Sequence, residues 1–180
     1  MTASPTIRPA RLDERSALEA LIARSARALS VGDYDEAQLD RAIGTVFGVD
    51  TELVEDGTYL VAEIGGVLAG CGGWSRRKTL FGADGRRDRE PGFLDPAVDA
   101  AKIRAFFVAP EWARRGVGTA ILDACEAAAR AAGFKALELM ATLPGERMYR
   151  ALGFKGSDPI EYDMGEGRMI RFVPMRKDLE

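Results

Sequence analysis

The clearest pattern of apolar and polar positions begins at Lys102. Apolar and polar side chains alternate from there, which predicts a strand with two different faces. Three consecutive apolar residues, Phe106, Phe107 and Val108, then interrupt the alternation, so we expect a bulge at that point. Apolar side chains recur at helical spacing from Val117 until a glycine closes the pattern. This segment therefore predicts a strand, a loop and a helix, in that order.

Similar patterns predict the other elements. We expect further strands over 6–10, 59–64, 67–74, 135–141, 158–164 and 169–177. We expect further helices over 13–29, 36–47 and 144–152. Gly65 and Gly66 suit a tight hairpin turn, and Pro174 predicts that the last strand lies at an edge or ends there. The strand, helix, strand order around the segment described above predicts a parallel pair.

The stretch between Ser75 and Asp99 has no regular period. It contains several glycines and prolines, and from Arg76 to Asp95 its six basic and four acidic residues give a net charge of 6 − 4 = +2. Such a long connection is uncommon inside a domain unless it has a function. Because Leu80 and Phe81 offer apolar anchors, we expect it to gate a binding site, with a charge that favours an anionic group on the substrate or an acidic partner.

Composition narrows the function classes. A chain of 180 residues with 47% hydrophobic content predicts one globular domain over 1–180. The net charge of −3 argues against nucleic acid and anionic membranes as partners, and no apolar run reaches the ~18 residues of a membrane helix. Cys71 and Cys125 are expected to be buried thiols, which fits the cytoplasm. The chain has no histidine, which removes the commonest general base and metal ligand, and no metal site is expected.

The loop between the strand and the helix has the composition of an anion-binding site. It consists of Arg114, Arg115, Gly116, Val117, Gly118 and Thr119. Glycines allow a ligand to approach the backbone, the first turn of a helix offers free N–H groups, and arginines add forked donors, so the ligand should carry phosphate. A dinucleotide fingerprint would need a third glycine at Ile121, and a P-loop would need a Gly-Lys-Ser/Thr ending, which this loop lacks.

Together, Val108-x-Pro110, the Arg-Arg-Gly-x-Gly loop and the following helix resemble the acetyl-CoA signature of the GNAT superfamily of N-acetyltransferases. A second stretch, Tyr149-x-x-x-Gly153-Phe154, resembles another recognisable stretch of that family. The resemblance implies an α/β (α+β) fold with a mixed, largely antiparallel sheet, splayed at a bulged central strand and carrying helices on both faces. Ala113 departs from the family pattern, which usually has Gln or Arg there.

The resemblance also implies roles for individual residues. Acetyl-CoA would be the cosubstrate, and its pyrophosphate would bind the loop that runs from Arg114 to Thr119. The bulge at Phe106, Phe107 and Val108 would bind the pantetheine arm and the thioester. Tyr149 would act as the general acid toward the CoA thiolate, and Thr142 stands where the family commonly has an asparagine that contacts the pantetheine or the acceptor. Residues 33–35, in a turn between two helices, resemble acceptor-side residues.

The implied reaction is acetyl transfer to a primary amine of a small molecule or a peptide, with direct attack on the thioester. The general base stays open among Glu138, Asp99 and a chain of water molecules. Two other classes also stay open, namely an acyl-CoA sensor without catalysis and an interaction module that acts through the basic connection. The sequence leaves open whether the protein forms a homodimer.

Overall fold

Helices and strands follow each other in the order that the sequence predicts, with two short elements added. The computed structural model describes residues 3–86 and 88–180. The strands are β1 (Thr6–Pro9), β2 (Tyr59–Ile64), β3 (Val67–Ser75), β4 (Ala101–Val108), β5 (Ala136–Thr142), β6 (Lys155–Gly156), β7 (Ile160–Asp163) and β8 (Met169–Asp178). The helices are α1 (Arg15–Leu29), α2 (Glu36–Ala42), α3 (Thr51–Glu55), α4 (Val117–Ala131) and α5 (Glu146–Ala151). The additions are α3 and β6.

The strands of the described residues form one sheet of eight, in the order β1-β2-β3-β4-β5-β8-β6, with β7 also paired to β8. Every pair is antiparallel except β4 with β5, the two strands that flank α4. Gly65 and Gly66 both have positive φ, as the predicted hairpin turn between β2 and β3 requires. The predicted mixed, largely antiparallel sheet is therefore confirmed.

Helices cover both faces of this sheet, as the resemblance implied. On one face, α1, α2 and α3 bury residues such as Leu18, Leu39 and Leu53 in a cluster that includes Phe172 of β8. On the other face, α4 buries a separate cluster around Ile121 against β3, β4 and β5. None of the helices in the described ranges has the length and apolar character needed to cross a bilayer.

Two predictions about element ends are wrong. The predicted helix over 36–47 stops at Ala42, because Ile43 adopts an extended backbone and Gly44 a positive φ. The following segment turns back and buries Phe47 in the core. Pro174 lies inside β8, opposite Met140 of β5, at the point where the other side of β8 changes partner from β7 to β6. A proline is tolerated there because neither short strand pairs with that residue.

The long connection is packed on the domain. Thr79 is buried and its hydroxyl donates to the carbonyl of Glu90, and Ala83 is buried with its N–H bonded to the carbonyl of Thr45. The guanidinium of Arg104 on β4 donates to the carbonyls of Thr79 and Gly82. The connection therefore has a fixed path over the α1 face of the sheet in its described part; Arg87, which contributed to the predicted charge, lies outside the described residues.

Candidate active site

β4 and β5 separate soon after they begin. Their ladder consists of the pairs Ala101–Leu137 and Lys102–Glu138. Beyond Lys102 the edge of β4 that would face β5 has no strand partner, so its backbone N–H and C=O groups are left to bind a ligand. A cavity of about 460 Å³ lies at this gap.

The cavity has a floor and two walls. Its floor is β4 from Ile103 to Val108, together with Leu139 and Met140 of β5. One wall, which we call the α1 wall, consists of Ser25, Ala26, Leu29, Ser30, Val46, Phe47, Phe81 and Phe172. The opposite wall, which we call the α5 wall, consists of Thr142, Pro144, Gly145, Arg147, Met148, Tyr149 and Ala151. Gly82, Ala113 and Arg114 complete the lining.

A bulge lies in the cavity floor, but at Ala105 and Phe106 and not over Phe106 to Val108 as predicted. The register between β3 and β4 shifts so that Ala105 and Phe106 together stand opposite Gly72, and Ala105 takes a left-handed φ of 52°. The buried hydroxyl of Tyr59 donates to the carbonyl of Ala105 at 3.0 Å, which holds this unusual backbone in place. A Cβ on Gly72 would lie 2.4 Å from the ring of Phe106. Gly72 is thus the residue that lets Phe106 lie flat over the bulge.

The glycine loop enters α4 with an unusual backbone. Arg114 has a φ of 59° and Gly116 a φ of 82°, and the first helical bond runs from the N–H of Ala120 to the carbonyl of Gly116. The N–H groups left without an intrahelical acceptor are those of Val117, Gly118 and Thr119. With the helix dipole behind them, these donors form the kind of site that binds phosphate.

Three arginines near the start of α4 have no ion-pair partner among the described residues. Arg114, Arg115 and Arg147 are exposed, and none of them forms an ion pair with a described residue. Arg114 and Arg147 line the cavity. Arg115 lies outside the lining, with its guanidinium 5.3 Å from the ring of Trp112. The free guanidinium groups therefore add positive charge beside the free amides of α4.

Two residues at the start of α4 have a packing role, which the apolar pattern of the sequence indicated for Val117 but not for Gly118. Val117 is buried in the core cluster beneath α4. A Cβ on Gly118 would lie 2.8 Å from the sulfur of Met148, so this glycine allows α4 and α5 to pack closely. Val117, Gly118 and Thr119 are absent from the cavity lining, and their backbone N–H groups are what they can offer a ligand.

Tyr149 lies at the centre of the α5 wall. Its ring packs at 6.4 Å from that of Phe106 and at 5.6 Å from that of Phe154. Burial, together with the nearby Cys125 thiol, raises the pKa of the phenol well above its ordinary value. The hydroxyl has no hydrogen-bond partner among the described residues, and the residue lines the cavity. It is therefore a protonated hydroxyl placed beside the bulge, as a general acid requires.

The other predicted catalytic group, Glu138, is not in the cavity lining. Its carboxylate accepts from the Lys102 ammonium and from Arg176 at 2.9 Å. Burial raises the pKa of Glu138, but these two cations outweigh it and hold the pKa below its ordinary value. Because Glu138 is paired with two cations and lies outside the lining, this geometry argues against Glu138 as the base. Asp99 also lies outside the lining.

Thr142 lies at the end of β5, in the α5 wall. Its hydroxyl accepts from the N–H of Gly145 at 3.2 Å and so shapes the turn that leads to α5. The structure thus brings together Phe106, Phe107, Val108, Arg114, Thr142 and Tyr149 in one lining.

Most of the α1 wall was not predicted from the sequence. Ser25 falls on the same helical face as Leu18 and Ile22, so a buried polar residue on an apolar face was the available signal. Phe47 falls at the end of the predicted helix over 36–47, and Phe81 was predicted only as an apolar anchor of the long connection.

Residues 33–35 have structural roles rather than a place in the lining. The Tyr34 hydroxyl donates to the carbonyl of Arg171 at 2.7 Å and accepts from the N–H of Leu143 at 2.9 Å. Asp35 caps α2 by accepting from the N–H of Gln38. The turn therefore ties α1 and α2 to β8 and to the turn before α5.

The charged side chains of the described lining are all arginines. Arg104 is buried, and its guanidinium pairs with the buried carboxylate of Asp50 at 2.6 Å. The carboxylate of Asp50 also accepts from Arg89 and caps α3, so it is already neutralised by protein groups. No Asp or Glu among the described residues lines the cavity.

Comparisons with known proteins agree with this geometry. The model of the acetyltransferase (GNAT) family matches residues 18–154. That match includes most of α1, the bulged strand, the glycine loop and α5. The search of curated protein sequences finds no significant match.

Solved structures show the same fold at low sequence identity. A GCN5-related N-acetyltransferase from Rhodopseudomonas palustris is 21% identical, with 99% of this chain and 98% of that chain covered and a TM-score of 0.73. The PaiA N-acetyltransferase from Thermoplasma acidophilum, solved with coenzyme A, is 15% identical, with 98% and 99% covered and a TM-score of 0.66. Ard1 from Thermoplasma volcanium is 16% identical, with 99% of both chains covered and a TM-score of 0.64.

Proposed function

Because the chain belongs to the GNAT family of acetyltransferases, which transfer acetyl groups from acetyl-CoA, we propose that it acetylates a primary amine of a small molecule or a peptide. One observation carries the proposal. A single cavity has two different sides. One side contains the splayed edge of β4, the unpaired Arg114 and the Tyr149 hydroxyl, and the other side is the apolar α1 wall. An acyl-CoA sensor would have no need of that second wall.

The residues of this site fit acetyl-CoA. The free N–H groups at the start of α4 and the guanidinium of Arg114 would hold the pyrophosphate. The unpaired edge of β4 between Ile103 and Val108 would bind the pantetheine arm as an added strand does. Backbone N–H groups at the bulge would then face the thioester oxygen, where they stabilise developing negative charge.

The reaction needs an acid that protonates the departing thiolate and a path for the proton that the amine nitrogen loses. The amine nitrogen attacks the thioester carbonyl carbon, a C–N bond forms, and the C–S bond breaks with its electron pair on sulfur. Tyr149 donates its proton to the departing thiolate, since its raised pKa keeps the phenol protonated. The proton that the nitrogen loses returns through water to the tyrosinate, so the overall exchange is balanced.

The amine must be in its neutral form when it attacks the thioester. An alkyl ammonium with a pKa of ~10.4 cannot attack, and the described lining offers no carboxylate or imidazole to deprotonate it. We therefore assign the first deprotonation to water and not to Glu138.

The test is release of CoA from acetyl-CoA by the purified protein with a panel of primary amines, with mass spectrometry of the acetylated product. We expect one equivalent of acetylated amine for each CoA released. Tight acetyl-CoA binding without acetylation of any amine would overturn the proposal and favour the sensor.

A further inference from the structure

The α1 wall is almost entirely apolar. Phe47 packs at 6.3 Å from Phe172, and Phe81 packs at 5.3 Å from the same ring. Phe47 also packs at 5.6 Å from Phe107, the residue that follows the bulge, so this aromatic cluster reaches the position where the thioester would lie. Such a surface favours the binding of an apolar group of the acceptor, because that group is removed from water when it binds.

The polar groups of this wall are neutral. Ser25 and Ser30 are buried, and neither hydroxyl has a hydrogen-bond partner among the described residues. Both can accept a hydrogen bond from an amine N–H without supplying charge.

The acidic residues near this side of the cavity are already paired or lie outside the lining. Asp50 pairs with Arg104 and Arg89, and a carboxylate oxygen of Glu19 accepts from the N–H of Val49. Asp84 accepts from the hydroxyl and the N–H of Thr51. A second positive charge on an acceptor would therefore find arginines and no carboxylate in the described lining, and the aromatic rings would offer it only the weaker attraction of a π face.

We propose that the acceptor is a compound with one amino group on an apolar alkyl chain or ring. We also propose that the cavity rejects acceptors with a second cationic group. Diamines, polyamines, aminoglycosides and lysine-rich peptides fall in the rejected class. The inference rests on the proposed function, because it names the substrate class of the same site. The expected selectivity follows from the lining, since burying an unpaired ammonium costs far more than burying a methyl group.

The test compares two amines that differ in one group. Pentylamine and 1,5-diaminopentane have the same chain length, and the second adds only a terminal amine. We expect kcat/KM for pentylamine to exceed that for the diamine by at least ~30-fold, as the cost of an unpaired buried charge requires. 2-Phenylethylamine should be used at least as well as pentylamine, because of the aromatic wall.

A pair of variants tests the cause. Ser25→Asp places a carboxylate on the wall, and Ser25→Asn has nearly the same shape without the charge. We expect Ser25→Asp to reduce the preference for pentylamine by ~10-fold and Ser25→Asn to leave it within ~3-fold, with thermal melts as the check on folding.

The outcomes separate the two claims. If the wild-type protein acetylates 1,5-diaminopentane within ~3-fold of pentylamine, the inference is overturned while the proposed function stands. A preference that Ser25→Asn relaxes as much as Ser25→Asp would also overturn it, because shape and not charge would then set selectivity. If no amine is acetylated, the proposed function fails and the inference fails with it.

Discussion

The two walls of the cavity are built in different ways. The side assigned to acetyl-CoA comes from neighbouring stretches of chain, since the bulge and the start of α4 lie within 103–119 and the α5 wall within 142–151. The α1 wall draws its residues from α1, the turn after α2, the long connection and β8. The first region is set by backbone geometry and the second by side chains that distant segments bring together.

This difference fits the division of labour that we propose. A backbone site formed by a bulge and a helix start constrains a few glycines, so it leaves a recognisable sequence pattern. A side-chain wall on four segments can change one residue at a time without disturbing the backbone site. Selectivity for the acceptor would therefore lie in the α1 wall, and the predictions below separate the two regions.

The largest effect should come from Tyr149→Phe. Removing the hydroxyl leaves the thiolate without its proton donor, so we expect kcat to fall by ~10²-fold with the affinity for acetyl-CoA unchanged. Tyr162→Phe is the matched control, because the Tyr162 hydroxyl donates to Asp88 outside the cavity lining. An unchanged kcat in Tyr149→Phe would remove this residue from the mechanism.

Gly72→Ala should disturb the floor between the two walls. The added methyl group would lie 2.4 Å from the Phe106 ring, so we expect the free energy of unfolding to fall by about 2 kcal/mol, measured by urea denaturation. The double variant Gly72→Ala, Phe106→Ala removes the clash and should lose less than the sum of the two single changes. Additive losses would show that the ring does not rest on Gly72.

The same comparison explains which parts of the site could be predicted from the sequence. The glycine loop and the presence of a bulge near Phe106 could be predicted because each depends on a few adjacent residues, whereas the place of Tyr149 was implied by the resemblance to the family. The support of the bulge by Tyr59 and the contact of Gly118 with Met148 could not, because each joins elements far apart in sequence. Glu138 was a reasonable candidate from its strand, and only the side-by-side pairing of β4, β5 and β8 reveals its cations.

Arg114→Ala should affect the acetyl-CoA side alone. Losing one charged hydrogen-bond donor to phosphate should weaken acetyl-CoA binding by ~10-fold, measured by calorimetry, with little change in KM for the amine. Arg115→Ala is the comparison, and we expect a smaller loss because that guanidinium lies over Trp112 outside the lining. An acceptor KM that rises with Arg114→Ala while cofactor affinity holds would contradict the division between the walls.

The smallest effect should come from Glu138→Gln. We expect kcat to stay unchanged and the free energy of unfolding to fall by less than about 1 kcal/mol at pH 7, since the ion pairs are partly solvent-screened. Because the pKa of Glu138 is lowered in the folded protein, its contribution is present above the ordinary value of 4.5 and is lost as the pH falls through the folded pKa. The variant and the parent should therefore converge in acid, as urea denaturation at several pH values would show. A ~10²-fold loss of kcat would instead restore Glu138 as the base.

One binding measurement tests most directly whether the two walls form a single active site. CoA linked through its sulfur and an acetyl bridge to the nitrogen of pentylamine would occupy both regions at once. Calorimetry should show that this conjugate binds at least ~10²-fold more tightly than CoA, as expected when both substrates are held in one cavity. Equal affinity for the conjugate and for CoA would contradict the account, because the α1 wall would then lie outside the site.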